Sequence, residues 1–364
     1  MHHVQDIPAA VLSGFALAGE PIAVEPHRRG HIHDTFISTW QQDGKQRRFL
    51  HQHLNEDVFS DIPSVMHNVV QVTEHLERKI RSEGDDGFHA LRLVPTRAGD
   101  SYLRVGGEPW RTYEFVENTE TFDRCSDTRH AYEAARAFGQ FQARLADLDP
   151  RSLRETIPDF FSTPHRLRQL DAAVAKDPAG RVASVHAELA FVDARRTSTR
   201  LIEKEVAAGR MPSRIVHGDT KLNNVLFDRA TAKAVCIVDL DTCMPAYSLY
   251  DFGDLVRFTA ATSAEDETDL RKAGTDLELY RALVAGYLDT AGSFLTRLEV
   301  ELMPFAARLV TLTIGMRFLA DHLNGDVYFK VGRPDHNLDR ARVQFAMVAA
   351  MEARERDMRV GVGA

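Results

Sequence analysis

Cysteine is scarce in this chain. Its 364 residues hold three, Cys125, Cys236 and Cys243, with no CxxC pair and no even-numbered framework. A disulfide-built scaffold is therefore not expected, and a reducing, cytoplasmic setting is. Positive charge is also short: 45 Lys and Arg against 53 Asp and Glu give a net charge of −8. That balance gives a nucleic-acid partner no electrostatic support, and a polyanionic nucleotide would need a local basic or metal site. No uninterrupted apolar run approaches the roughly 20 residues that cross a bilayer, so no membrane partner is expected. The N-terminus has no charged region followed by a long apolar stretch, and no signal peptide is expected. Internal repeats and low-complexity segments are missing as well. What remains, 44% hydrophobic and 27% charged, is ordinary for a globular chain. The length exceeds one small core and predicts two domains or lobes. Nothing in the composition sets an oligomeric state.

Short alternating runs fill the first hundred or so residues. Segments 22–25, 35–40 and 48–53 predict strands, with Gly30 and Asp43-Gly44 as turns. Segment 68–82 predicts a helix, because Val69, Val72, Leu76 and Ile80 recur at helical spacing. Segments 91–95, 101–105 and 110–116 predict further strands. Helical patterns then take over: 129–146 with Tyr132, Ala135, Phe138 and Leu145 on one stripe, 184–208 as a second long helix, and more helix from Asp251 onward. The expected fold is α+β and two-lobed, protein-kinase-like. A small β-rich N-lobe covers 1–117 and a larger helical C-lobe covers 118–364.

One segment carries the chemistry. Residues 215–227 contain His217-Gly218-Asp219 and, five positions after the aspartate, Asn224, with apolar residues on both sides. An apolar run then ends in an acid, Ala234-Val235-Cys236-Ile237-Val238-Asp239. This is the grammar of protein-kinase-like phosphotransferases. Such chemistry needs a carboxylate to receive a hydroxyl proton, an amide oxygen to help hold magnesium, and a second carboxylate on the same metal. Asp219, Asn224 and Asp239 match by type, order and spacing. Lys221 either offsets charge on the transferred group or is an exposed lysine beside an acidic site. His217 is expected to hold the loop rather than to titrate. The literal triplet Asp251-Phe252-Gly253 is set aside as the metal motif, because Asp251 opens a predicted helix and reads as its N-terminal cap. Asp241 is left between a role near the metal and one in tying down the loop.

The basic loop His27-Arg28-Arg29-Gly30-His31-Ile32-His33-Asp34 occupies the place of a phosphate-covering hairpin, yet has one glycine and no GxGxxG. Its cations could face phosphate, His31 and Asp34 could touch the acceptor, or the loop could be a solvated turn. His31-x-His33 and His51-x-His53 raise zinc, with no cysteine or third clustered ligand to support it. The third strand lacks the lysine that usually meets nucleotide phosphates. Gln52, Arg48 or Lys45 would have to replace it, with Glu74 either its helix partner or a solvent-facing acid. Arg48, Gln52, Glu114 and Val116 are the candidate nucleotide contacts.

The string His217-Gly218-Asp219-Thr220-Lys221-Leu222-Asn223-Asn224-Val225-Leu226-Phe227, with Val238-Asp239-Leu240-Asp241-Thr242 and Ser248-Leu249-Tyr250-Asp251-Phe252-Gly253-Asp254, resembles the N-acetylhexosamine 1-kinases of the aminoglycoside phosphotransferase and choline kinase superfamily. Similar segments extend over nearly the whole chain: Gly30-His31-Ile32-His33-Asp34, Gln52-His53-Leu54-Asn55, Ile157-Pro158-Asp159-Phe160, Arg317-Phe318-Leu319-Ala320-Asp321 and Leu323-Asn324-Gly325-Asp326-Val327-Tyr328-Phe329-Lys330. The resemblance implies ATP- and Mg2+-dependent phosphorylation of the anomeric hydroxyl of N-acetylglucosamine or N-acetylgalactosamine. It implies Asp219 as base and Asn224 and Asp239 as metal ligands. The sugar pocket it implies holds Phe258, Arg317 and Tyr328, with His31 and Asp34. A glutamine in place of the strand lysine resembles a family habit. His33 stands where the family more often has asparagine, and Phe161 where histidine is common. Phe258 and Tyr328 could instead pack in a core. Arg317, in an apolar helix, requires either a site or a buried ion pair. Two rivals stand beside this reading: a kinase of an aminoglycoside, amino alcohol or other hexose, and a nucleotide-binding pseudokinase scaffold.

Overall fold

Alternation of apolar and polar residues builds the first sheet. In the computed structural model, which describes residues 6–27, 32–85, 87–125, 127–361 and 363, the strands are β1 (Glu20–Pro26), β2 (Asp34–Gln42), β3 (Lys45–His53), β4 (Leu103–Val105) and β5 (Glu108–Glu114). They form an antiparallel sheet in the order β1-β2-β3-β5-β4. Asp43 and Gly44 both take positive φ between β2 and β3, the conformation a two-residue hairpin turn needs. Phe49, His51 and His53 of β3 are buried on one face, while Arg48, Leu50 and Gln52 are half-buried on the other. After the short helix α1 (Ala9–Gly14), Phe15, Phe36, Trp40, Phe49 and Trp110 make the sheet's core. Helix α2 (Ile62–Glu83) starts earlier than its stripe alone predicts. Asp61 caps it by accepting from the Ser64 N–H, Pro63 sits in its first turn, and Gly84 ends it at φ 66°. Segment 91–95 runs beside β5 through two backbone bonds, Glu114 N–H to Arg92 O and Val94 N–H to Thr112 O, but makes no strand. Pro95 has no N–H with which to continue a ladder.

The chain divides into two compact units that are discontinuous in sequence, unlike the expected division at 117/118. The first is Met1–Glu120, Asp147–Pro158 and Leu226–Pro245. Besides the five-stranded sheet it holds β6 (Thr119–Glu120), paired antiparallel with the strand Val225–Asp228, which pairs in turn with Ala234–Ile237.

The second unit is Thr121–Ala146, Asp159–Val225 and Ala246–Ala364. It contains β7 (Arg214–Val216), α3 (Thr128–Leu145), α4 (Thr163–Lys176), α5 (His186–Asp193), α6 (Leu201–Ala207), α7 (Ser248–Thr259), α8 (Leu277–Ala291), α9 (Arg297–Leu323), α10 (His336–Ala353) and α11 (Glu355–Gly361). Helices α3 and α8 pack at close range across Gly286, where a Cβ would lie 2.1 Å from the Tyr132 carbonyl oxygen. The long helix expected over 184–208 is broken. Between α5 and α6 the Ser198 and Thr199 hydroxyls donate to the Arg195 and Arg196 carbonyls, and Arg195 is drawn to Glu352 at 2.5 Å. Local side-chain-to-backbone bonds there compete with the helix ladder. Helix α9 is long and apolar enough to cross a membrane by length and composition, and 67% of its apolar window is buried inside the protein. A Thr296–Glu299 capping box starts it.

Candidate active site

The loop after β7 is held by side chains that accept its backbone N–H groups. Asp251, 1% exposed, receives the N–H of His217 and of Gly218, each at 2.8 Å, and the Gln142 amide at 2.5 Å. Tyr287 OH donates to the other end of Gln142 at 2.9 Å. Thr220 gives its hydroxyl to the Asp251 carbonyl at 2.7 Å and its N–H to Asp254 at 3.1 Å. His217 is buried, edge-on to Phe138 and Phe141, and its Nδ1 accepts the Asp219 N–H at 3.2 Å. Histidine as a loop holder is therefore what the geometry shows. Asp251 is not the cap of α7, as the sequence led us to expect. The helix begins at Ser248, its N-cap Tyr247 makes no side-chain bond, and the Asp251 carboxylate turns into the unit, where three donors await it. Burial raises the Asp251 pKa, and those contacts offset only part of the rise.

Asp219 projects from this loop with a side chain 20% exposed. Lys221 Nζ lies 2.7 Å from one carboxylate oxygen and 2.8 Å from the other. Asn224 Nδ2 donates to the Asp219 carbonyl at 2.8 Å and carboxylate at 3.1 Å, so both its bonds are made by the amide nitrogen. Lys221 also lies 5.3 Å from the centre of the Phe258 ring, and Arg257 3.8 Å. Arg257 is compensated by Asp254 and Glu265, each at 3.0 Å. Phe258 is half-buried beside these charges, not in the core.

Arg317 on α9 has no carboxylate within ion-pair distance among the described residues. The rings of Phe160, Tyr328 and Phe329 stand 5.4–5.7 Å from its guanidinium, and Tyr328 OH is 3.5 Å away. Burial lowers its pKa. A second arginine, Arg166 on α4, donates to Gln169 at 2.9 Å and to the Phe160 carbonyl at 3.2 Å, and leaves its Nε buried without a partner. Burial, then repulsion from Arg317, pushes Arg166 down to about 10; Tyr328 and Asp159 act the other way, and Asp159 is bonded to His165 at 3.1 Å. Tyr328 is 68% exposed, which removes the core alternative for it. Its segment is pinned by Asp321, whose carboxylate accepts the N–H groups of Val327, Tyr328 and Phe329 and the Asn337 amide, all at 2.8–3.0 Å. Phe161 stacks on Tyr250, ring centres 5.4 Å apart.

In the first unit, Asp239 follows the strand Ala234–Ile237 and takes φ 64°, a left-handed conformation that costs a non-glycine residue about 1 kcal/mol or more. A single tight turn, Leu240–Thr242, comes next. Asp241 in that turn is 2% exposed. Both its oxygens are engaged by Arg111 of β5, and His33 Nε2 donates to it at 2.6 Å while His33 Nδ1 accepts the Asn55 N–H at 3.1 Å. Burial alone would raise the Asp241 pKa; Arg111 and His33 more than offset it and hold the carboxyl below the usual range. Arg111 also donates Nε–H to Gln52 Oε1 at 2.9 Å. Arg48 is engaged by Glu117 and lies 4.0 Å over Phe115. Glu114 and Val116 line a cavity of about 630 Å³ together with Phe88, His89, Phe115 and Glu117. Asp34 Oδ2 is 3.3 Å from His53, which also meets Glu108 at 2.8 Å. Glu74 is exposed, 3.9 Å from Arg78, so it is the solvent-facing acid of the two alternatives. Lys45 is exposed at the start of β3. His31 lies outside the described residues, as do Arg28, Arg29 and Gly30.

A sequence profile of the APH type, described as the phosphotransferase enzyme family, matches residues 32–290. The chain belongs to that family. Its fold is similar to that of an aminoglycoside phosphotransferase from Alicyclobacillus acidocaldarius, at 18% identity and TM-score 0.64 over 100% of this chain and 98% of that one. It is also similar to a microcompartment-associated aminopropanol kinase, at 15% identity and TM-score 0.59 over 96% of each chain. A third similar structure is choline kinase from Cryptosporidium parvum, at 13% identity and TM-score 0.52 over 92% of this chain and 90% of that one. The protein is thus a phosphotransferase of the APH family.

In this phosphotransferase the residues that sequence reasoning missed are those that hold others. Arg111 left one signal, a charge inside the alternating run Trp110-Arg111-Thr112-Tyr113. Arg166 and Gln142 left none. Asn224 in the second unit and Asp239 in the first each carry an oxygen donor of the kind magnesium takes. No group of three His, Cys, Asp or Glu among the described residues could hold a metal alone. Magnesium needs only one or two protein oxygens beside phosphate and water. Among the described residues Asn224 Oδ1 accepts no hydrogen bond, whereas the Asp251 carboxylate is filled by N–H donors.

Proposed function

We propose that this phosphotransferase moves the γ-phosphoryl group of ATP to the anomeric hydroxyl of an N-acetylhexosamine, giving the sugar 1-phosphate. One observation carries the choice of acceptor. Arg317 sits among the rings of Phe160, Tyr328 and Phe329, Arg166 reaches the Phe160 carbonyl, and neither has an ion-pair carboxylate among the described residues. A cationic aminoglycoside or amino alcohol wants acids there. A neutral sugar offers a flat apolar face to the rings and an acetamido carbonyl to the guanidinium. Asp219 takes the proton of the anomeric hydroxyl as its oxygen bonds to phosphorus and the bond to the ADP oxygen breaks. An anomeric hydroxyl is more acidic than other sugar alcohols, so a carboxylate suffices as base. Asn224 and Asp239 would hold magnesium, which neutralises phosphate charge when bound. Lys221, within 2.8 Å of both Asp219 oxygens, offsets negative charge beside the transferred group, and Phe258 flanks the sugar with Arg257 against its ring.

Phosphorus NMR of the product made from N-acetylglucosamine tests the reading. A glycosyl 1-phosphate is expected, with no turnover of the 1-O-methyl glycoside. A 6-phosphate, or brisk turnover of the methyl glycoside, would end the anomeric assignment and leave the phosphotransferase in place.

A further inference from the structure

Gln52 occupies the strand position where a phosphate-facing lysine is expected, and an amide there raises a question a lysine does not. Its two ends are nearly the same shape, so the end presented to a ligand is set by its partners. Arg111 settles it. A guanidinium only donates, and its Nε–H meets Gln52 Oε1 at 2.9 Å. The Gln52 NH2 group therefore points away from Arg111. Among the described residues its one hydrogen-bond contact is Thr35 Oγ1 at 3.4 Å, long for such a bond. This leaves a nearly unspent NH2 group on the half-buried face that also carries Arg48 and Leu50.

The other side of Arg111 is spent on Asp241, through Nη1 and Nη2, with Met66 Sδ at 3.9 Å from Nη1. One side chain, 1% exposed, thus links β3, β5 and the turn that begins at Asp239. A lysine could not do this. A point charge grips one carboxylate, whereas the planar fork grips both Asp241 oxygens and still has Nε–H for the amide. Glu74, the acid on α2 that would pair with a strand lysine, stays in solvent.

We propose that Arg111 is a positioning residue that, with Gln52, replaces the missing strand lysine: it turns the Gln52 NH2 group toward the nucleotide phosphates and fixes the Asp239 turn through Asp241. The inference rests on nucleotide use, not on the choice of acceptor.

The test measures ADP and adenosine binding to the full chain by calorimetry, in EDTA so that metal does not contribute, together with thermal melts. Gln52→Ala is expected to weaken ADP about tenfold and leave adenosine unchanged. Gln52→Glu gives the sharper answer. Its carboxylate pairs with Arg111, so the melting temperature holds or rises, while ADP binding falls further than in Gln52→Ala because the new charge repels phosphate. Gln52→Glu with wild-type ADP affinity would overturn the proposal, since a purely structural amide tolerates that exchange. Arg111→Lys should also weaken ADP, and the loss should vanish in the Gln52→Ala background. Additive losses would refute action through Gln52. Should Arg111→Lys fail to fold, the Gln52→Glu result decides alone.

Discussion

Asp219 and Asp251 stand in one unit with opposite environments. Asp219 keeps partial exposure and has Lys221 and Asn224 as neighbours. Asp251 is sealed and holds three N–H donors. Asp219→Asn should therefore bind nucleotide and lose turnover by roughly a hundred- to ten-thousand-fold, the range for a removed general base. Turnover near wild type would end that assignment. Asp251→Ala strands three buried donors, at about 1–3 kcal/mol each. It should lower stability by about 3 kcal/mol or more, well beyond the loss of a helix cap. Asp239→Asn tolerates the left-handed backbone and should melt near wild type while losing magnesium-dependent activity. Magnesium titrations and melts of the two proteins check this pair. The reverse pattern would place the metal motif at the literal Asp251-Phe252-Gly253 triplet.

At the scale of elements, β3 carries a buried histidine that makes the sheet sensitive to acid. His51 lies between Ser38 Oγ at 2.7 Å and Thr112 Oγ1 at 2.8 Å, with no carboxylate partner among the described residues. Burial pushes it down to about 4. Between its ordinary value of about 6.5 and about 4, the unfolded chain binds a proton that the folded chain does not, so stability falls as pH drops through that window. The linkage is of the order of 3 kcal/mol. His51→Gln should lose less stability than wild type between pH 6.5 and pH 4, measured by denaturant titration; equal losses would show that His51 does not titrate in that window.

Elements whose pattern is local were legible in the sequence. The Asp43-Gly44 hairpin and the stripe of α2 depend on neighbours in the chain. The loop His217–Asn224 was legible because its spacing is the chemistry. The break between α5 and α6 was not, since hydroxyl-to-backbone bonds and the pull of Glu352 leave the helical period untouched. Arg111 and Asp241 stand 130 positions apart, and no spacing rule joins them. Asp251 was misread because a cap and an anchor for a distant loop ask for the same residue type.

On the scale of the whole molecule, the first unit is completed by segments far downstream. The Asn68 amide donates to the Arg154 and Cys243 carbonyls at 2.7 and 3.0 Å, and accepts the Arg154 N–H at 2.9 Å. The His89 N–H donates to the Val235 carbonyl at 2.7 Å. A fragment cut at residue 120 lacks all of these and leaves Arg111 buried without Asp241, an uncompensated charge that is strongly destabilising. Expressed alone, residues 1–120 should show no cooperative melt and poor amide dispersion by NMR. A sharply melting fragment would show that the sheet and α2 suffice.

The Asp321 staple has a consequence for how such an enzyme changes its taste. One carboxylate from α9 fixes the path of segment 327–329 by gripping its backbone, so the path does not depend on which side chains the segment carries. Val327 and Tyr328, 78% and 68% exposed, are written on a frame that someone else holds. Selection, or a mutant library, can rewrite those letters without refolding the page. Substitution at 327 and 328 with Asp321 kept is the route such an arrangement leaves open.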